Sequence, residues 1–113
     1  MTYREERPWG WFETIYQGPH YLVKVLAVSP NQRLSLQRHE YREEHWTVVG
    51  GTGVITVGDQ EIPAAPGVTA HIPKGEVHRL EAGESELMLV EVQRGSRLYE
   101  DDIVRLDDDY GRK

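Results

Sequence analysis

The shortness of the apolar runs is what most constrains this chain. Short apolar-containing runs fill positions 21–29 (YLVKVLAVS, rich in β-branched residues), 33–39, 45–49, 53–57, 60–62, 68–72, 78–81 and 87–93. All but 33–39 are closed at or near their end by Gly, Pro, Asn or Asp, residues that turn the backbone rather than extend it. No window carries a convincing 3.6-residue period, apart from a short turn near residues 100–104. Gly58-Asp59 separates two of the runs by two residues, which favours a type I′ hairpin. Many short strands at close spacing predict an all-β fold, an antiparallel sandwich or barrel. The 113 residues fit one domain: an arm over 1–20, a barrel core over 21–93, and an acidic segment over 94–113 that packs on the barrel.

Charge and residue usage narrow the chemistry. Against 13 Lys and Arg stand 19 Asp and Glu, a net charge of -6. A binder of nucleic acid needs the opposite surplus, so no nucleic-acid partner is expected. The chain has no cysteine, which excludes thiolate metal sites, disulfide scaffolds and thiol nucleophiles. No apolar run approaches a membrane span, and the N-terminal residues lack a secretory h-region. A soluble, cytoplasmic protein without membrane partners is the expectation. Residues 100–113 (EDDIVRLDDDYGRK) concentrate acid, yet the interposed Ile103, Val104, Leu106 and Tyr110 predict that the segment docks.

Alternation over 33–39 sets Leu34 and Leu36 on one side of the strand and Ser35, Gln37 and His39 on the other. A polar row of that kind suits a cavity lining, while Leu34 and Leu36 would offer an outer surface for pairing. Gln37, His39 and Glu44 share a strand-turn-strand, and His78 follows Pro73-x-Gly75. Four nitrogen and oxygen donors from two hairpins suit a divalent cation such as zinc, manganese, iron or nickel. Spacing alone leaves open that these are unrelated surface residues.

Two spaced motifs sharpen the reading. Asn31, five residues, Gln37-x-His39, four residues, Glu44, six residues, Gly51 resembles the first cupin motif. Gly67, five residues, Pro73-x-Gly75, two residues, His78, three residues, Ala82 resembles the second. Asn31, Gln37 and Ala82 stand where Gly, His and Asn are usual. Further segments, among them Arg7-Pro8-Trp9-Gly10, Glu44-His45-Trp46, His78-Arg79-Leu80-Glu81, Glu91-Val92-Gln93 and Asp109-Tyr110-Gly111-Arg112, resemble the type II mannose-6-phosphate isomerase domain. That domain is usually the C-terminal part of bifunctional guanylyltransferase/isomerase enzymes, and here it is expected to stand alone.

The resemblance implies a double-stranded β-helix (jelly-roll) barrel and a metal set of Gln37, His39, Glu44 and His78. Zinc is the first expectation, with manganese, nickel, iron or cobalt also suited. It implies isomerisation of mannose 6-phosphate and fructose 6-phosphate through an enediol, and a homodimer. Such a reaction needs a base and a clamp for a sugar phosphate. Arg42, Glu91, Lys24 and Arg105 are the expected catalytic residues, and Gln93 and Arg79 are expected to bind substrate. Lys24 interrupts an apolar strand, a costly position unless its ammonium reaches a pocket or an acid. Trp46 should face inward and His45 outward. His71 could line the mouth or lie outside, His20 is a surface residue, and Trp9 and Trp11 belong to the core or a dimer seam. Two other readings stand beside the isomerase: a non-catalytic cupin that binds a carbohydrate or metabolite, and a cupin dioxygenase. Glu40 and Tyr41 replace a His-rich segment of the family, which bears on substrate choice.

Overall fold

Burial alternates along the inner strands of the computed structural model, which describes residues 3–113. Eleven strands occur in chain order among those residues: β1 (Arg4–Arg7), β2 (Gly10–Gly18), β3 (Tyr21–Val28), β4 (Leu36–Arg38), β5 (Arg42–Gly50), β6 (Gly53–Val57), β7 (Gln60–Ala64), β8 (Thr69–Ile72), β9 (His78–Ala82), β10 (Leu87–Gly95) and β11 (Val104–Asp107). They form a six-stranded sheet, β1-β2-β3-β10-β5-β8, and a five-stranded sheet, β11-β4-β9-β6-β7. Every pairing is antiparallel. The all-β expectation holds, and no described helix is long and apolar enough to cross a membrane.

The interior is graded from apolar to polar along the strands. At one end Val28, Val48, Ile55, Leu80, Leu87 and Leu89 are fully buried. Each such side chain contributes roughly 1.5–3 kcal/mol relative to exposure. Toward the other end the same inward rows change character. On β5 the buried residues are Arg42 and Glu44 before Trp46 and Val48. On β10 they are Leu87 and Leu89, then Glu91 and Gln93. β3 adds Lys24 between Leu22 and Leu26. Cross-strand register sets these polar groups side by side, with Glu91 opposite Lys24 and Trp46, and Gln93 opposite Glu44. The apolar half supplies cohesion, and the polar half forms a site.

Two turns explain how the motif spacing is met. Asn31 takes a positive φ of 62°, a conformation that Asn tolerates better than other non-glycine residues, so it replaces the motif's glycine at little cost. Gly51 has φ 78°, and a Cβ there would lie 2.0 Å from the Glu86 carbonyl oxygen; no other residue fits.

Two expectations change, and a third gains detail. Residues 4–18 of the expected arm form β1 and β2, which extend the six-stranded sheet; residues 1 and 2 lie outside the described residues. The REER run of β1 carries no apolar alternation because it is an exposed edge strand, held by its ladder to β2 and by Arg4 over the Trp11 ring at 3.7 Å. Residues 33–35 are not a regular strand. Arg33 makes only an isolated bridge to Glu81, so Leu34 turns inward and is 7% exposed within the core. The apolar outer face expected of Leu34 and Leu36 is therefore absent. Finally, the C-terminal segment adds β11 to β4, with Arg105 opposite Gln37, after a turn closed by the Asp102 N–H on the Tyr99 carbonyl.

Candidate functional site

Gln37 on β4 lies directly opposite His78, the first residue of β9. His39 follows β4, and Glu44 comes in from β5 on the facing sheet. His39, Glu44 and His78 are all buried, and one donor atom from each falls within 4.8 Å of the others. The His39 and His78 ring centroids are 4.9 Å apart, and Trp46 meets His78 edge-on at 5.6 Å.

The hydrogen bonds fix which ring nitrogens face inward. His39 Nδ1–H donates to the Asp102 carbonyl at 2.7 Å, and His78 Nδ1–H to the Glu76 carbonyl at 2.9 Å. Both Nε2 atoms are thereby left as lone-pair donors. Burial, helped by the nearby Arg42 and His78, drives the His39 pKa down to about 4 despite Glu44. Burial likewise lowers that of His78. Both imidazoles are neutral at pH 7, the state in which they ligate metals. His78 Nε2 is buried with no hydrogen-bond partner. An orphaned lone pair costs about 1–3 kcal/mol, and a cation beside His39 and Glu44 would satisfy it. The donor set fits a divalent metal.

Glu44 completes the set as an anion. Burial favours its neutral form, but the Arg42 guanidinium above all, with the two histidines and a hydrogen bond from Glu91, brings it down to about 2. Its Oε1 accepts from Trp46 Nε1 at 2.9 Å and its Oε2 from Arg42 Nε at 2.9 Å, with His39 Nε2 at 3.2 Å. Arg42 also reaches the Tyr99 carbonyl at 3.2 Å, so it bridges β5 to the C-terminal segment. Gln37 presents its amide nitrogen to His39 Nε2 at 3.5 Å, while its Oε1 accepts from Ser35 Oγ at 2.7 Å. Rotating the amide would turn the oxygen inward.

A cavity beside these residues is lined by Lys24, Gln37, His39, Arg42, Glu44, Glu91 and Arg105, together with Arg7, Glu100 and Arg112. Seven of the ten expected site residues thus line it, and His78, Gln93 and Arg79 do not. Gln93 stands behind Glu91, donating to its Oε2 at 2.6 Å. Burial, reinforced by the charge of Glu44, pushes the Glu91 pKa up to about 8, against the pull of Lys24 and Arg42. Lys24 Nζ pairs with Glu100 Oε2 at 2.5 Å and sits 4.2 Å from the Phe12 ring centroid. Arg105 Nε is buried and unpartnered. Burial lowers its pKa, and Arg112 and Arg7 add repulsion.

Among the expected site residues, Arg79 points away from the site. On β9 it alternates outward from His78 and Leu80, and it does not line the cavity. Its guanidinium donates to the Leu34 carbonyl at 2.9 Å and to Asp107 at 2.9 Å, which ties the C-terminal segment to the barrel. His45 and His71 lie on the outer face, and His20 is exposed.

Asp102, Glu100 and Arg7 enter the site without having been singled out. Asp102 orients His39 through its carbonyl and accepts the Glu40 and Tyr41 N–H groups at 2.9 and 3.0 Å through its carboxylate. Composition showed only an acidic tail; no local pattern marks which of its acids turns inward. Arg7 was visible within the segment Arg7-Pro8-Trp9-Gly10, but not its direction.

Comparison with known proteins agrees with this geometry. Residues 2–108 match the family model described as mannose-6-phosphate isomerase C-terminal. The chain is 48% identical over 107 residues to the xanthan biosynthesis protein XanB of Xanthomonas campestris pv. campestris (strain B100), covering 94% of this chain and 23% of that protein. It is 46% identical to the alginate biosynthesis protein AlgA of Pseudomonas aeruginosa and 44% identical to the mannose-1-phosphate guanylyltransferase ManC of Salmonella typhimurium, in each case over 94% of this chain and 22% of the relative. The chain thus spans less than a quarter of the length of these relatives. Among solved structures, oxalate decarboxylase from Bacillus subtilis superposes with a TM-score of 0.83 at 16% identity, over 93% of this chain and 30% of that one. A cupin-2 domain from Rhodospirillum rubrum gives 0.73 at 21% identity, over 90% and 76%. The fold is a cupin double-stranded β-helix.

Proposed function

This chain belongs to the mannose-6-phosphate isomerase C-terminal family, and from that premise we propose that it is a metal-dependent sugar-phosphate isomerase interconverting mannose 6-phosphate and fructose 6-phosphate. The observation that carries the proposal is the unpartnered His78 Nε2, buried against two further metal-ligating side chains. Gln37, His39, Glu44 and His78 would hold the cation, zinc first among those that suit nitrogen and oxygen donors, and it would supply Lewis acidity toward the sugar oxygens. Gln37 is neutral, so the set carries one negative charge and leaves the cation strongly electrophilic.

The other residues divide the remaining tasks. Aldose–ketose interconversion takes a proton from one carbon and returns it to its neighbour. Glu91, with its pKa near 8, exchanges a proton near neutral pH and is suited to that shuttle. Gln93 holds its Oε2, and Lys24 faces it across the ladder. Arg105, with Arg7 and Arg112 close by, offers donors for a phosphate dianion. Arg42 holds Glu44 and orients it. Asp102 fixes the His39 tautomer.

A coupled assay with mannose 6-phosphate, run on metal-loaded and chelator-treated protein, tests this. Turnover that chelation abolishes and added metal restores is the expected result. A metal-loaded protein that turns over no hexose phosphate would leave a binding cupin as the better reading.

A further inference from the structure

Strand β5 carries two donor sets, one on each face. Glu44 points into the barrel, and by alternation Glu43 and His45 point out. Across the ladder His45 is paired directly with His71 on β8, the edge strand of the six-stranded sheet. The two imidazoles stack with centroids 4.5 Å apart and planes inclined by 18°. Their Nε2 atoms converge on a single oxygen, Glu43 Oε1, at 2.9 and 3.1 Å. Arg94 contacts the other carboxylate oxygen at 3.4 Å, so the carboxylate is held with Oε1 toward the rings. One donor atom from each of the three residues falls within 4.8 Å of the others.

We propose that Glu43, His45 and His71 form a second divalent-metal site, on the outside of the barrel and separate from the buried centre. Two imidazole nitrogens and one carboxylate oxygen suit a borderline transition cation, Zn²⁺, Cu²⁺ or Ni²⁺, with water at the remaining positions. The rings need no rotamer change to direct both Nε2 atoms at one point. Binding moves each ring proton to Nδ1, and the rings are half exposed. Arg94 and Lys74 lie nearby and oppose the cation's charge, which makes the outer site weaker than the buried one. A bound ion would clip the edge strand β8 to β5.

Zn²⁺ titration of the full chain by equilibrium dialysis, with the histidine ring resonances followed by NMR, tests the proposal. Wild type is expected to take up two equivalents, the second shifting the His45 and His71 rings. His71→Ala should keep the first equivalent and bind the second at least ~10-fold more weakly, and Zn²⁺ above the first equivalent should raise Tm in wild type only. His45→Ala should behave as His71→Ala does. A second equivalent retained unchanged in both variants, or ring resonances of His45 and His71 that never respond, would overturn it. One equivalent in wild type and none in His71→Ala would uphold the outer site and count against the buried one.

Discussion

Replacing Glu91 by Gln should abolish turnover and, above mildly acidic pH, stabilise the fold. Glu91 is 4% exposed, and its pKa rises from 4.5 to about 8, first through burial and then through the charge of Glu44. In the unfolded chain the carboxyl loses its proton near 4.5; in the folded barrel it keeps it up to about 8. Between those values the folded state binds the extra proton, so wild-type stability falls as pH rises, and above about 8 the loss is constant. At 1.36 kcal/mol per pH unit the ceiling on this cost is about 3 kcal/mol at pH 7 and about 5 kcal/mol above pH 8. The amide keeps the local hydrogen bonds: it accepts from Gln93 and donates to Glu44, as protonated Glu91 does. Urea unfolding in excess chelator at pH 4.5, 7 and 8.5 measures the effect. The two midpoints should coincide at pH 4.5 and separate as pH rises. With m of about 1–3 kcal/mol/M, the full effect moves the Glu91→Gln midpoint up by roughly 1 M or more at pH 7. A gap that does not change with pH, or a variant less stable than wild type at pH 8.5, would refute the assignment of a proton to Glu91.

Arg105→Ala removes a half-buried guanidinium whose buried Nε is unpartnered and should raise KM for mannose 6-phosphate by roughly 10- to 100-fold, the worth of charge-assisted hydrogen bonds to phosphate; an unchanged KM would remove Arg105 from the clamp. Glu100→Gln frees Lys24 from its ion pair, and because Glu100 is half exposed the gain is small, a KM lower by about 2- to 5-fold. A KM that rises instead would mean that Glu100 itself positions substrate. The C-terminal segment should loosen in acid. Hydrogen bonds from Arg112 hold the Asp108 pKa well below the usual carboxylate range, and Arg33 does the same for Asp109. Both are depressed in the folded state, so their contribution is complete above about pH 4 and is lost as pH falls through the folded values. The Arg112 amide, which donates to Asp108 Oδ2 at 2.6 Å, should hold its NMR shift through the ordinary aspartate range near about pH 4 and move only well below it; a wild-type amide that titrates with a midpoint near about pH 4 would contradict this.

What the sequence disclosed and what it hid divide along a physical line. Strands β3, β5, β6, β9 and β10 announce themselves because one face of each is buried, and burial writes period-2 alternation into the residues. The same parity carries Glu44 inward and His45 outward, and it makes Lys24 and Glu91 conspicuous as charges in inward rows. β1 and β11 are edge strands whose cohesion comes from backbone ladders and ion pairs, which leave no hydrophobic period to read. Arg79 shows the limit most directly. It sits beside His78 in sequence, and alternation already turned it away, toward Asp107 and the Leu34 carbonyl. The C-terminal segment hides most, because its meaning lies in contacts 57 to 76 residues apart in the chain: Asp102 with His39, Tyr99 with Arg42, Glu100 with Lys24. Those contacts reverse the reading of its acidity. Some of its acids and carbonyls are the partners of cations and imidazoles that the barrel strands bury without enough acceptors of their own. The segment therefore completes the electrostatics of the site, and the excess of acid near the C-terminus answers the excess of base in the cavity.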